Sequence, residues 1–137
     1  MLSNRSMPHD VLIPVLGYPS VGEAIHWLTG AFEFVERWRA GEHRAQLAVG
    51  PAAAIAIVRS PAGGGARIGD HVMVRVEEVD AHHAAARRFG AQIIASPSDY
   101  PYGERQYTAL DHSGRAWVFT QSIADVAPED WGGATPA

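Results

Sequence analysis

Residues 11–30, VLIPVLGYPSVGEAIHWLTG, join a short apolar strand to an amphipathic helix, and residues 71–90, HVMVRVEEVDAHHAAARRFG, do so again. In the first copy VLIPVLG (11–17) reads as a strand. Pro14 puts it at a sheet edge or a bulge, because proline cannot donate to a ladder. Ser20-Val21-Gly22-Glu23 has the Ser-x-x-Glu form of a capping box, which predicts a helix from about Val21. Val21, Ala24, Ile25 and Leu28 recur at helical spacing, and Gly30 is placed to stop the helix. In the second copy HVMVRV (71–76) is the strand, Asp80 is positioned to cap a helix running to Phe89, and Gly90 is its stop.

Each copy continues with three strand-like stretches. After the first helix come FEFVERWRA (32–40), HRAQLAV (43–49) and AAAIAIVRS (52–60), the last two forming a hairpin about Gly50-Pro51. After the second come AQIIAS (91–96), a loop PSDYPYG, and a hairpin of ERQYTAL (104–110) with RAWVFTQS (115–122) across residues 111–114. The predicted fold class is α+β, strand-helix-strand-strand-strand twice over. Its modules span 11–60 and 70–122, with a linker at 61–69 and tails at 1–10 and 123–137. The glycines of the linker lack the Lys-Ser/Thr and the strand–helix setting of a phosphate loop. A repeat of this length implies duplication and directs the search for a site to the space between the halves.

Composition narrows the function classes. A chain of 137 residues, 47% hydrophobic, can bury one substantial core. The absence of cysteine excludes disulfides, thiolate metal sites and cysteine nucleophiles, and fits a reducing compartment. A net charge of −4 with acids and bases interspersed offers no basic stripe to nucleic acid. No apolar run approaches the roughly 20 residues of a membrane span. The opening MLSNRSMPHD lacks an apolar core of signal-peptide length, so a cytoplasmic location is expected.

Strand alternation assigns the inward faces. Val72, Val74 and Val76 share one side, suited to packing on helices, which turns His71, Met73 and Arg75 to the other. Trp117 and Phe119 belong with the helices, leaving Ala116, Val118 and Thr120 opposite. With a four-residue loop at 111–114, Tyr107 stands beside Val118 and Arg105 beside Thr120. The same count in the first half puts Leu12, Pro14 and Leu16 on the non-helix face. Ala54, Ala56 and Val58 join them, opposite His43, Ala45 and Leu47. That face is small and apolar with a few polar groups, as in a small-molecule pocket.

The doubled order, the opening IPVLGYPSVGEAIHWL and the closing GERQYTALDHSGRAWVF together resemble the vicinal oxygen chelate superfamily over residues 10–122. This group includes glyoxalase I, extradiol dioxygenases, fosfomycin-modifying enzymes and bleomycin-resistance proteins. The closing pattern is similar to the bleomycin-resistance-like branch. The resemblance implies two modules whose sheets curl as one mixed sheet around a cleft, commonly completed in a homodimer. Metal-using relatives place His, Gln or Glu at four cleft positions, which fall here on Pro14, Ala56, His71 and Val118. One ligand-type residue of four cannot hold a catalytic divalent ion. The neighbours of Pro14, Ala56 and Val118 are apolar, so a one-residue slip does not restore the set. No metal and no cofactor is expected.

Candidate ligand-binding residues are His43, His71, Met73, Arg105, Tyr107, Val118, Trp38 and Tyr102. Each has a plainer alternative: a surface histidine for His71, a structural ion pair for Arg105, loop anchoring or a dimer contact for Tyr102 with Tyr100. Trp27 and Trp38 are placed at a subunit interface or a cleft rim. His82 and His83 are expected to be structural or solvent-facing, and Asp111 with Gly114 to serve the turn. The expected function is metal-independent capture of a small molecule, an aromatic or natural-product antibiotic, with neither nucleic acid nor membrane as partner. The alternative is a superfamily enzyme, a lyase, isomerase or dioxygenase, with an unorthodox metal site or metal-free acid–base chemistry by His71 with Tyr107 or Arg105. A dimeric module of structural or regulatory role is the third reading.

Overall fold

The computed structural model describes residues 2–61 and 69–136, so residues 62–68 of the expected linker lie outside the described residues. The first unit consists of β1 (Val15–Tyr18), α1 (Val21–Phe32), β2 (Val35–Ala40), β3 (Arg44–Ala48) and β4 (Ala54–Arg59). The second repeats it with β5 (His71–Arg75), α2 (Val79–Phe89), β6 (Gln92–Tyr100), β7 (Glu104–Leu110) and β8 (Ala116–Ser122), followed by a 3-10 turn at Pro128–Trp131. Sheet A has the strand order β1-β4-β3-β2 and sheet B the order β5-β8-β7-β6. In both, the first strand of the unit runs parallel to the last, and the remaining pairs are antiparallel. The α+β class and the duplicated order are as the sequence implies.

The N-cap half of the capping box forms at α1, where Ser20 Oγ accepts from the Glu23 N–H at 3.2 Å. Three local readings change. Gly30 does not stop α1, which continues to Phe32 and ends with Glu33 in the left-handed region at φ 66°. Gly30 is instead a contact point between helices: a Cβ there would sit 2.3 Å from Phe89 Cε2. Asp80 is not the cap of α2. That position is Glu78, without a side-chain bond, while the Val79 N–H is satisfied by Gln121 Oε1 at 2.9 Å. Finally, β6 extends to Tyr100 through two irregularities in its register with β7, absorbing most of the expected loop.

A single core joins the units. Phe32 at the end of α1 packs against Trp117, Phe119 and the His82 ring, and Phe34 packs on Trp117. Trp27 makes edge contacts with Phe32 and Phe89, so it belongs to the inter-unit packing rather than to a cleft rim. The two helices lie together between the sheets, and the helix-free face of each sheet is turned away from the core.

At the junction is Asp111. One carboxylate oxygen accepts from the Tyr18 hydroxyl at 2.7 Å and the Trp117 indole N–H at 3.0 Å. The other accepts from the Ser113 N–H and hydroxyl and from the Arg115 N–H. The expected turn role is present, and with it a bond between β1 of one unit and the last hairpin of the other. Arg115 adds a hydrogen bond to the Gly17 carbonyl at 3.2 Å and lies over the Tyr18 ring. Asp111→Ala leaves two buried donors without a partner, each costing about 1–3 kcal/mol. Guanidinium unfolding should report a loss of at least ~2 kcal/mol, against a smaller loss for Tyr18→Phe, which removes a single bond.

Candidate functional site

Both hairpins turn through five residues rather than four. The Val49 N–H bonds the Ala53 carbonyl and the Asp111 N–H bonds the Arg115 carbonyl, each at 2.8 Å. Gly50 and Gly114 supply the positive φ these turns need, at 65° and 89°. The extra residue shifts each pairing by one and exchanges the faces of the strand before the turn. Ala48 pairs with Ala54 and Leu47 with Ile55; Leu110 pairs with Ala116 and Tyr107 with Phe119.

The consequences are specific. Ala45 and Leu47 are core residues on the helix side, and His43 is exposed at the β2–β3 turn. Leu16 is also a core residue, because the parallel pairing of β1 sets it beside Ile57, independently of the turn. Tyr107 is buried beneath α2, its hydroxyl 2.6 Å from His82 Nδ1. Arg105 also points to the helix layer, bonded to Asp80 and Asp99 at 2.9 Å each, the structural ion-pair alternative. The residues that replace this pair on the open face of sheet B are Gln106 and Thr108, beside Thr120 and Val118. Tyr107 and Arg105 read as cleft residues only if the turn is counted as four.

The open face of sheet B carries a connected polar track. The Tyr102 hydroxyl donates to Gln106 Oε1 at 3.0 Å, Gln106 Nε2 to Thr120 Oγ1 at 3.0 Å, and the Thr120 hydroxyl to Glu104 Oε1 at 2.7 Å. Hydrogen bonding from Ser122, then from Thr120, with the charge of Arg75, holds the Glu104 carboxyl below its ordinary range. Burial, Tyr100 and Glu104 raise the Tyr102 hydroxyl, which keeps it a donor. Beside the track are apolar and sulfur groups: Val118, nearly buried, pairs with Met73, which is 53% exposed. Tyr102 stacks on Tyr100, and Trp131 from the C-terminal segment sets its edge against Tyr102 at 5.3 Å. Trp131 had no periodic or motif context to mark it.

A groove of about 1180 Å³ runs along β5. His71, Met73 and Arg75 line it together with Val11, Leu12 and Pro14 of the first unit and the 49–55 turn. Trp38 lies away from it, on the open face of sheet A, where it pairs with Gln46. Of the eight expected residues, five fall into three groups: His71 and Met73 at the groove, Val118 and Tyr102 on the open face of sheet B, and Trp38 on that of sheet A; His43, Arg105 and Tyr107 lie outside them.

The residue types present do not fit the divalent ion used by metal-dependent relatives. In register, the open-face partner of Ala56 is Val15, not Pro14, and that of Val118 is Met73, not His71, which pairs with Ala116. These four side chains are hydrocarbon or thioether, outside the nitrogen and oxygen donors such an ion takes. No cluster of three His, Asp or Glu residues with metal-holding geometry occurs among the described residues. Among the same residues, no helix is long and apolar enough to cross a membrane.

Comparison with known proteins gives a consistent picture. Residues 12–119 match the family model of the Glyoxalase/Bleomycin resistance protein/Dioxygenase superfamily. No curated protein matches the chain. Among solved structures, TioX from Micromonospora sp. ML1 is similar at 27% identity and a TM-score of 0.72, over 82% of this chain and 98% of that one. A glyoxalase/bleomycin resistance protein from Streptomyces sp. CB03234 shares the fold at 20% identity and a TM-score of 0.66, covering 80% and 97% of the two chains. So does the fosfomycin resistance protein FosX from Listeria monocytogenes, at 11% identity and a TM-score of 0.68, covering 85% and 95%.

His82 gives the core a pH dependence of defined sign. Its Nε2–H donates to the Phe32 carbonyl at 3.2 Å, so Nδ1 is the acceptor for the Tyr107 hydroxyl, and the ring is neutral. Burial lowers its pKa below the usual 6.5. The unfolded chain then takes up the proton first as pH falls, so this contribution to stability is present above the unfolded value and lost between it and the lower folded one. The melting temperature should fall from pH 7.5 to 5.5, and His82→Gln should flatten that dependence.

Proposed function

Because the chain belongs to the glyoxalase/bleomycin resistance protein/dioxygenase superfamily, we propose that it captures a small molecule without a metal, in a cleft completed by a second copy of the chain. The observation that carries this reading is the paired set Val15–Ala56 and Met73–Val118. Side chains of this kind on the open faces can exclude water and touch an apolar ligand, but they cannot polarise a substrate oxygen. Affinity would come from apolar burial and aromatic stacking, with orientation from the Tyr102–Gln106–Thr120–Glu104 track.

Packing of α1 against α2 supports the dimer. With the helices between the sheets, the open faces of one chain do not close on one another, so two facing sheets require sheet A of one copy and sheet B of another. β1 and β5 are both sheet edges, and Val11, Leu12, Val15 and Met73 beside them are exposed apolar groups. Unpaired, apolar edges favour association. Tyr100, Tyr102 and Trp131 on one sheet and Trp38 on the other favour a planar aromatic ligand, in line with an antibiotic-sequestering role. FosX, which shares the fold, is a fosfomycin resistance protein, and this is compatible with a resistance setting for this fold.

The acid–base alternative, His71 with Tyr107 or Arg105, requires groups that lie on opposite faces of sheet B, and we do not favour it. Untagged protein should sediment as a dimer and carry no stoichiometric divalent metal by elemental analysis. One ion per chain would overturn the reading. In tryptophan-fluorescence titrations against aromatic natural products, Met73→Ala should weaken the best ligand about tenfold, or about 1.4 kcal/mol, at unchanged melting temperature.

A further inference from the structure

Residues 1–10 read as a plain tail in the sequence, yet residues 4–7 lie across the open face of sheet A. Asn4 opens a turn, its carbonyl accepting from the Met7 N–H at 3.1 Å and its side chain from the Ser6 N–H at 3.0 Å. From this turn three contacts reach the sheet. The Trp38 indole N–H donates to the Ser6 carbonyl at 3.2 Å, Arg37 Nη2 to the Arg5 carbonyl at 3.4 Å, and Gln46 Nε2 to Met7 Sδ at 3.8 Å.

These contacts share one chemistry. Every group offered by the sheet is a donor: an indole N–H, a guanidinium and a carboxamide N–H. Gln46 is only 3% exposed, and its own oxygen is taken by Arg37 Nη1, so the amide presents its donor side outward. Every group accepted from the segment is a backbone carbonyl or a thioether. Neither the Arg5 nor the Ser6 side chain takes part in these contacts, so at those two residues the face reads the peptide backbone, and only Met7 is met through its side chain. The segment stays exposed, Met7 at 45%, and none of its residues enters the core.

We propose that the open face of sheet A is a subsite for the amide carbonyls of a peptide-type ligand, occupied in the free chain by its own residues 5–7. This rests on the reading of the open faces as ligand-binding surfaces, and narrows the ligand to molecules carrying consecutive amide carbonyls with an apolar or sulfur-bearing group beside them. The segment is held by exposed hydrogen bonds and by tethering, which for a short link corresponds to a millimolar effective concentration. A ligand that adds stacking on Trp38 and contacts to a facing sheet would displace it.

The test uses the full chain and a capped synthetic peptide of residues 2–10. Ser6 is the third residue of the turn, where proline is disfavoured, and Ser6→Pro also deletes the N–H bonded to Asn4, so it should release the segment. The Trp38 indole resonance should shift between the wild type and Ser6→Pro. Added peptide should move it back with a dissociation constant of about 1 mM, while the wild type, whose tethered segment competes at a comparable concentration, binds about twofold more weakly. Trp38→Phe in the Ser6→Pro background, which keeps the ring plane and loses the N–H, should weaken the peptide at least fivefold. An unshifted resonance, or no peptide binding to Ser6→Pro, overturns the proposal. Anilinonaphthalene sulfonate, which has no amide carbonyl, separates the two readings. If Ser6→Pro binds this dye at the Trp38 face but not the peptide, the peptide subsite fails while small-molecule capture stands.

Discussion

The carboxylate of Asp111 is the constraint on which the arrangement of the two units depends. It accepts five hydrogen bonds, three within its own turn and one each from Trp117 and from Tyr18 in the other unit. Tyr18 and Trp117 are fully buried, so their polar hydrogens have no water to turn to. His112 stacks on Tyr18 and lies beside Trp27, which extends the junction from the turn to α1. A single polar group thus fixes where the last hairpin sits on the first strand, and with it the orientation of the two sheets.

That orientation governs what the molecule can do. Once β1 is tied to the β7–β8 turn with the helices inside, the open faces point away from the core and the unpaired edges β1 and β5 lie beside the groove. Each open face then has its own character. Sheet B pairs apolar Met73 and Val118 with a polar track ending at Glu104, and borrows Trp131 from the C-terminal segment. Sheet A presents donors around Gln46 and Trp38, and borrows Arg5–Met7 from the N-terminal segment. Both segments read as tails in the sequence; both end up against an open face.

The element order, the capping box, the edge position of the Pro14 strand and the helix-side placement of Val72, Val74, Trp117 and Phe119 were all legible, because each depends on local chemistry or on period-two alternation. The register of the two hairpins was not. A turn of four or five residues is equally compatible with Gly50-Pro51 or with DHSG, yet the difference of one residue turns Tyr107 and Arg105 from the open face to the helices and brings Gln106 and Thr108 in their place. Gly30 failed as a helix stop for a similar reason: a glycine that ends a helix and one that admits the Phe89 ring look alike in sequence.

By itself, then, the sequence determined the duplicated α+β fold and the apolar nature of Ala56 and Val118, since residue type and periodicity suffice for both. Only the tertiary structure decided which residues stand beside them. Register is set by hydrogen bonds that close a turn, and the placement of a terminal segment by donors distant in the chain; neither leaves a periodic trace in the residues themselves.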